Sequence, residues 1–188
     1  MTDPHTLPTP CLVVDAEVLD LNLAGMARFG ADRELALRPH AKTHKSPDLA
    51  RRQVSAGAVG LTVATVAEAE IFADAGFEDL FIAYPLWVDA AKGRRLRRLL
   101  ESSRLTIGVD SVEGAQALAA QLGDDARRVA VLLEVDSGHH RSGVAPDTVG
   151  DLGDVVAHTG LDLAGVFTFP GHSYAPQAAG DVAGFVLE

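Results

Sequence analysis

Two hydrophobic periods alternate along the chain. Short runs dense in branched and aromatic residues lie at 60–65, 79–84, 105–110, 129–136 and 161–169, and each reads as a strand. Between them are segments with apolar positions at helical spacing: 16–29, 48–56, 65–76, 88–102, 111–122 and 146–158, with a further helix starting at 181–188. The start signals agree with this reading. Ser46 precedes Pro47 at a first helical turn, Thr65 stands three residues before Glu68 in a capping-box arrangement, and Ser111 caps the segment that follows it. Residues 11–15 predict a short strand, and residues 35–42 predict the strand that organises the rest.

Strands alternating with helices of this length predict parallel βαβ units. The strands are apolar on both faces, as expected when helices cover the outside and side chains fill the inside. Six such strands follow from residue 35 onward. A closed (β/α)8 barrel has eight and typically about 250 residues, so the expected fold is an α/β parallel (β/α)8-type barrel with about six units present. An open doubly wound sheet is the alternative. A dinucleotide site is not indicated, because no Gly-x-Gly-x-x-Gly follows the first strand.

Composition narrows the function. The chain has 188 residues, 47% of them hydrophobic, enough for one domain with a substantial core. It carries 16 Lys plus Arg against 26 Asp plus Glu, a net charge of −10, which argues against general nucleic-acid binding but leaves room for local cationic pockets. The single cysteine, Cys11, precludes an internal disulfide framework and reads as a buried structural thiol. Neither a secretion signal nor a run long enough to span a membrane is apparent, so the expected location is cytoplasmic.

Residues 35–45 concentrate the candidate chemistry. An apolar run is followed by Arg38, His40, Lys42, His44 and Lys45, and on an extended strand Arg38, His40 and Lys42 share one face. Histidines at both i−2 and i+2 disfavour the ammonium form of Lys42, and a free amine is the nucleophile that condenses with an aldehyde. A solvated basic strand end is the competing reading. Against it stands the position of the cluster, between a strand and a helix, where barrel enzymes keep their reactive groups.

Other polar residues end the other strands: Thr65, Tyr84, Asp110, then Glu134, Asp136, His139, His140 and Arg141, then His172, Ser173 and Tyr174. In a parallel barrel these ends share one rim and converge on one cavity. Glu134 and Asp136 share strand parity and suit acid–base work, or else pair with a cation such as Arg141. Adjacent His139 and His140 point in different directions, so no metal site is read from them. The run Lys92, Arg94, Arg95, Arg97, Arg98 reads as the solvated outer face of a helix.

Several motifs together resemble the D-threonine aldolase and D-serine dehydratase group of fold-type III pyridoxal phosphate enzymes, which share the alanine racemase N-terminal barrel. They are Arg38-Pro-His-Ala-Lys-Thr-His-Lys45, Gly57-Ala-x-Gly60 running into Thr62-Val-Ala-Thr65 and Glu68-Ala-Glu70, Ile82-Ala-Tyr-Pro85, Glu134-Val-Asp-Ser-Gly138 with Arg141-x-Gly-Val144, and Gly171-His-Ser-Tyr174. The resemblance implies a lyase of D-amino acid metabolism acting on β-hydroxy D-amino acids, with a Schiff base between Lys42 and pyridoxal 5'-phosphate. It implies His40 against the cofactor ring, Arg141 near its phenolate oxygen, and His172 and Tyr174 along the cofactor or substrate side. A small-molecule D-amino acid is the implied partner, with no nucleic acid and no membrane, and a homodimer is the implied assembly of a complete protein.

Length departs from the family pattern. Members continue through two more barrel units and a β-rich C-terminal domain. The resemblance places the Gly/Ser-rich phosphate cradle late in the barrel and the divalent-metal ligands in that later domain, so no metal ligand is expected within residues 1–188. The expectation is a partial pyridoxal phosphate-binding barrel, truncated or completed by another chain, whose open sheet edges invite pairing or aggregation. Alternative functions are an amino-acid racemase, a non-catalytic pyridoxal phosphate-binding protein of cofactor homeostasis, and an inactive fragment.

Overall fold

The structure is a computed structural model that describes residue 3 and residues 6–174; the helix expected from residue 181 lies outside them. Five strands, β1 (Leu61–Val63), β2 (Asp79–Ile82), β3 (Arg104–Val109), β4 (Val129–Val135) and β5 (Asp162–Thr168), form one sheet, every neighbouring pair parallel. Their order across the sheet is their order along the chain. A doubly wound sheet reverses its order at a switch point, whereas this one winds in a single direction, as a (β/α) barrel does.

Helices α1 (Ala16–Ala31), α2 (Pro47–Ser55), α3 (Val66–Asp74), α4 (Ala90–Leu99), α5 (Val112–Leu122) and α6 (Val149–His158) connect or precede the strands. Within α3–α6, each helix packs on the next. Their starts follow from side chains that satisfy orphan amides: Ser46 accepts from Leu49 N–H, Thr65 from Glu68 N–H and Ser111 from Gly114 N–H. Glu68 reaches back to the amide of Ala64 at 2.7 Å, one residue earlier than a standard capping box. The helix expected from residue 88 starts at Ala90 because Asp89 is its cap.

One face of the sheet builds the core. Leu61, Val63, Leu80, Ile82, Leu105, Ile107, Val129 and Val131 are buried, together with Phe72, Leu96, Leu118 and Leu122 from the helices. Burial of one such large side chain contributes roughly 1.5–3 kcal/mol. The opposite parity carries Thr62, Phe81, Thr106, Ala130 and Glu134, several of them neighbours across paired strands. That face is mixed, not apolar throughout as expected, because it borders a cavity.

Two expected strands do not form. At residues 35–42 only His40 makes a bridge, parallel to Thr62, supported by Val59 N–H to Leu37 O, Thr62 N–H to Pro39 O and Ala41 N–H to Thr62 O. The sixth strand position is thus held by a short extended stretch beside β1, which turns away at Ala41–His44. Residues 11–15 join no strand among the described residues: Pro8 and Pro10 lack amide donors, and Leu12, Val13 and Val14 are exposed. Cys11 is likewise exposed, so the buried-thiol reading is corrected.

Candidate active site

A cavity of about 560 Å³ opens at the carboxyl ends of the strands, within the roughly 300–1,000 Å³ usual for small-molecule sites. Phe167 and Phe81 line it, their rings edge-to-face with centroids 5.1 Å apart. Gly108 makes room for this pair: a Cβ there would come within 2.8 Å of Phe167 Cζ and 2.7 Å of the Ala83 carbonyl oxygen. Beyond them Phe169 carries two cations, with Lys42 Nζ 5.4 Å and Arg141 Cζ 4.5 Å from its ring centroid.

Lys42 reaches the cavity from the turn that follows the His40 bridge. Its amide donates to His40 Nδ1 at 3.3 Å, which sets the imidazole beside the lysine backbone. Burial, and then the charge of Lys42, lower the pKa of His40 against smaller opposing effects of Glu68 and a hydrogen bond to the Thr62 backbone. A neutral imidazole is favoured there.

The cation cluster expected at residues 38–45 is only partly assembled. Arg38 binds Asp79, the first residue of β2, at the opposite end of the sheet. His44 turns toward α2, its Nδ1 accepting from Ser46 N–H at 3.0 Å and its Nε2 lying 3.2 Å from Gln53 Oε1. Lys45, with φ of 51°, pairs with Glu68 at 3.0 Å. Strand alternation fails here because the strand ends after one bridge. The second cation beside Lys42 comes instead from the loop after β4.

That loop folds back on its own strand. Asp136 N–H donates to Val144 O and Val144 N–H to Glu134 O, both at 2.9 Å. Gly143 permits the close approach: its φ is 97°, and a Cβ would lie 2.7 Å from the Asp136 nitrogen. Asp136 accepts from the amides of Gly138 and His140 and lies 2.7 Å from His140 Nδ1. These contacts bring its pKa down to about 2. Its partner is therefore His140 and not Arg141, which rests on Phe169 and on Tyr84, 5.6 Å from the latter's centroid.

Glu134 lies beneath the loop at the cavity wall, 2% exposed. Its Oε1 accepts from Ser142 Oγ at 2.9 Å, and its Oε2 has no hydrogen-bond partner among the described residues. Desolvation pushes its pKa above the usual carboxylate range, partly offset by Ser142.

Tyr84 and Tyr174 line the cavity with exposed rings. His172 does not line it; its ring packs 3.4 Å from where a Cβ on Gly138 would stand. Phe81, Phe167 and Phe169 were not singled out from sequence. Phe167 and Phe169, two apart at the end of an apolar run, were the available signal. A second cavity of about 260 Å³, between α1 and residues 37–39, is mainly apolar, and its one charged wall residue, Arg38, is engaged by Asp79. The chemistry gathers in the larger one.

Comparison with known proteins agrees with this fold. Residues 14–185 match the family described as Alanine racemase, N-terminal domain. An uncharacterized protein of Mycobacterium tuberculosis is 48% identical over 119 residues, 63% of this chain and 70% of that protein. The D-threo-3-hydroxyaspartate dehydratase of Delftia sp. HT23 is 38% identical over 176 residues, 90% of this chain and 45% of the enzyme. Its solved structure superposes with a TM-score of 0.84 at 35% identity, covering 96% of this chain and 49% of that one. The D-threonine aldolase of Filomicrobium marinum gives a TM-score of 0.79 at 34% identity, over 85% and 43% of the respective chains. The chain spans about half the length of these two enzymes.

Proposed function

Because this chain belongs to the alanine racemase N-terminal domain family, we propose that it binds pyridoxal 5'-phosphate through Lys42 and contributes the cofactor site of a lyase acting on β-hydroxy D-amino acids. The observation that carries the proposal is the convergence of Lys42, Arg141, His40 and Glu134, from two distant segments, on one aromatic-lined cavity. The relatives named D-threo-3-hydroxyaspartate dehydratase and D-threonine aldolase support the reaction class.

The residues present fit the cofactor. The cavity has the volume for it, an amine at its mouth for the aldehyde and a guanidinium for anionic oxygens. When bound, pyridoxal phosphate supplies an electron sink that weakens the bonds at a substrate's α-carbon.

The chain's own groups supply the rest. Lys42 Nζ would be the nucleophile that holds the cofactor, and its amine would take up or return a proton beside the substrate's α-carbon. Arg141, held on Phe169 and Tyr84, offers a cation whose position is fixed by packing. His40, favoured neutral, adds a flat wall without adding charge. The rings of Phe81, Phe167 and Phe169 exclude water from one side of the cavity.

The test is to incubate the chain with pyridoxal phosphate, reduce with borohydride and map the modified peptide. Modification at Lys42, abolished in Lys42→Ala and retained in Lys45→Ala, is the expected result; labelling at Lys45 or at neither lysine would overturn the assignment. Product analysis with D-threonine, D-3-hydroxyaspartate, D-serine and D-alanine, on the chain with any further segment it requires, separates aldol cleavage, dehydration and racemisation.

A further inference from the structure

Resting on the cofactor reading above, we propose that Asp136 is the positioning residue for Arg141: from behind the cavity it holds the backbone of residues 138–140 in the shape that lays the guanidinium over Phe169, ready for an anionic oxygen of pyridoxal phosphate. Asp136 and His140 are not among the residues that line the cavity, whereas Arg141 is. Contact with a ligand on this side thus belongs to Arg141, and the carboxylate acts through the loop. Its Oδ1 accepts from the amides of both Gly138 and His140 at 3.0 Å, and its Oδ2 lies 2.7 Å from His140 Nδ1.

The backbone shows why three contacts converge on one side chain. His140 has a φ of 56°, a left-handed conformation disfavoured for a residue with a Cβ. Its amide and its ring are both tied to Asp136, which offsets that preference. Arg141 follows directly. A return of His140 to negative φ would swing the chain just ahead of the guanidinium and carry it off the rings on which it rests, Phe169 with its centroid 4.5 Å from Cζ and Tyr84 at 5.6 Å. The flanks are anchored separately: Thr168 Oγ1 donates to Ser137 Oγ at 2.6 Å, and Ser142 Oγ to Glu134 Oε1 at 2.9 Å. Loss of the Asp136 carboxylate therefore releases the hydrogen-bonded middle of the loop and leaves its ends in place.

The rival is that Asp136 influences the cofactor by its charge alone, and the two differ in sign. A negative charge near the site disfavours a phosphate ester, so by charge alone Asp136→Ala would bind pyridoxal phosphate more tightly. Loss of positioning makes it bind more weakly. Binding, followed by absorbance, is to be compared for the unaltered chain, Asp136→Ala, Arg141→Ala and the double variant. The expected result is that Asp136→Ala binds about tenfold more weakly, the low end for a lost hydrogen bond to a charged group. In the Arg141→Ala background the same change should matter by less than about twofold, since the two residues act through one contact. Asp136→Asn, whose one acceptor oxygen still serves both amides, should bind within about threefold of the unaltered chain.

Tighter or unchanged binding in Asp136→Ala would overturn the proposal, as would an equal loss with Arg141 already removed, or asparagine as weak as alanine. A readout that needs no cofactor is the upfield ring-current shift of the Arg141 Cδ protons over Phe169 in the nuclear magnetic resonance spectrum. The shift should be present in the unaltered chain, retained in Asp136→Asn and lost in Asp136→Ala; its survival in Asp136→Ala would overturn the proposal. His140→Pro, which fixes φ at about −65° with Asp136 intact, guards against a variant that fails to fold and should lose the shift too. The two readings fail separately. No borohydride trapping at Lys42, with the shift lost in Asp136→Ala, removes the cofactor and leaves the positioning of Arg141; trapping with the shift retained does the reverse.

Discussion

The carboxylate of Asp136 accepts from two backbone amides and from the imidazole of His140, which together hold its pKa at about 2. That value lies below the ordinary 3.8, so its contribution to stability is complete above the unfolded value and disappears as pH falls through about 2. Asp136→Asn keeps one acceptor and loses the charge. Urea midpoints should show the variant less stable than the unaltered chain at neutral pH, with the gap closing between pH 3.8 and 2; a gap of constant size would mean the charge is irrelevant to the loop. That Lys42 and Arg141 line one cavity was legible because both follow strand positions at the same end of a parallel sheet. Arg38 and His44 were misplaced because parity is a property of a strand, and the backbone leaves the strand after His40. The partner of Asp136 could not be read, since the loop's backward fold depends on Gly143 meeting the Asp136 backbone.

At the scale of elements, α4 and α5 cross where Gly93 faces Gln121, and a Cβ on Gly93 would lie 2.7 Å from Gln121 Cβ and 3.2 Å from its carbonyl oxygen. Gly93→Ala is therefore a contest between two terms. Helix propensity favours alanine by about 1 kcal/mol, while overpacking a tight contact costs about 1–3 kcal/mol. The obstructing Cβ is fixed to the backbone of α5 and has little freedom to retreat, so the expected net effect is a loss of about 1 kcal/mol, measured by denaturant unfolding. A more stable variant would show that the crossing relaxes. Helix starts were legible because caps are local: Ser46, Thr65 and Ser111 act within their own turns. The stretch at 35–42 was overread for the complementary reason. Its apolar run is genuine, but a strand needs a partner along its length, and β1 is only three residues long.

For the molecule as a whole, alternating periods made the parallel winding legible, but they carry no information on how tightly each element is held. The structure separates these. Strands β2 and β3 lie inside the sheet with Leu80, Ile82, Leu105 and Ile107 buried against helices. In contrast α1, with an apolar pattern as strong on paper, buries only Gly30 and leaves Val18, Leu21, Met26 and Phe29 exposed. Opening free energy follows buried apolar contact, so the two regions should differ in hydrogen exchange even though both are regular secondary structure. Amides of α1 are expected to exchange through local opening at rates that respond little to added urea, and those of β2 and β3 only through global unfolding, slowing by orders of magnitude. If pyridoxal phosphate binds in the cavity as proposed, it should protect the turn at residues 41–44 and the loop at 136–144 and leave α1 unchanged, because the cavity touches the first two and not the third. Protection of α1 equal to that of β3 without cofactor would place the core elsewhere and remove the framework on which the cavity stands.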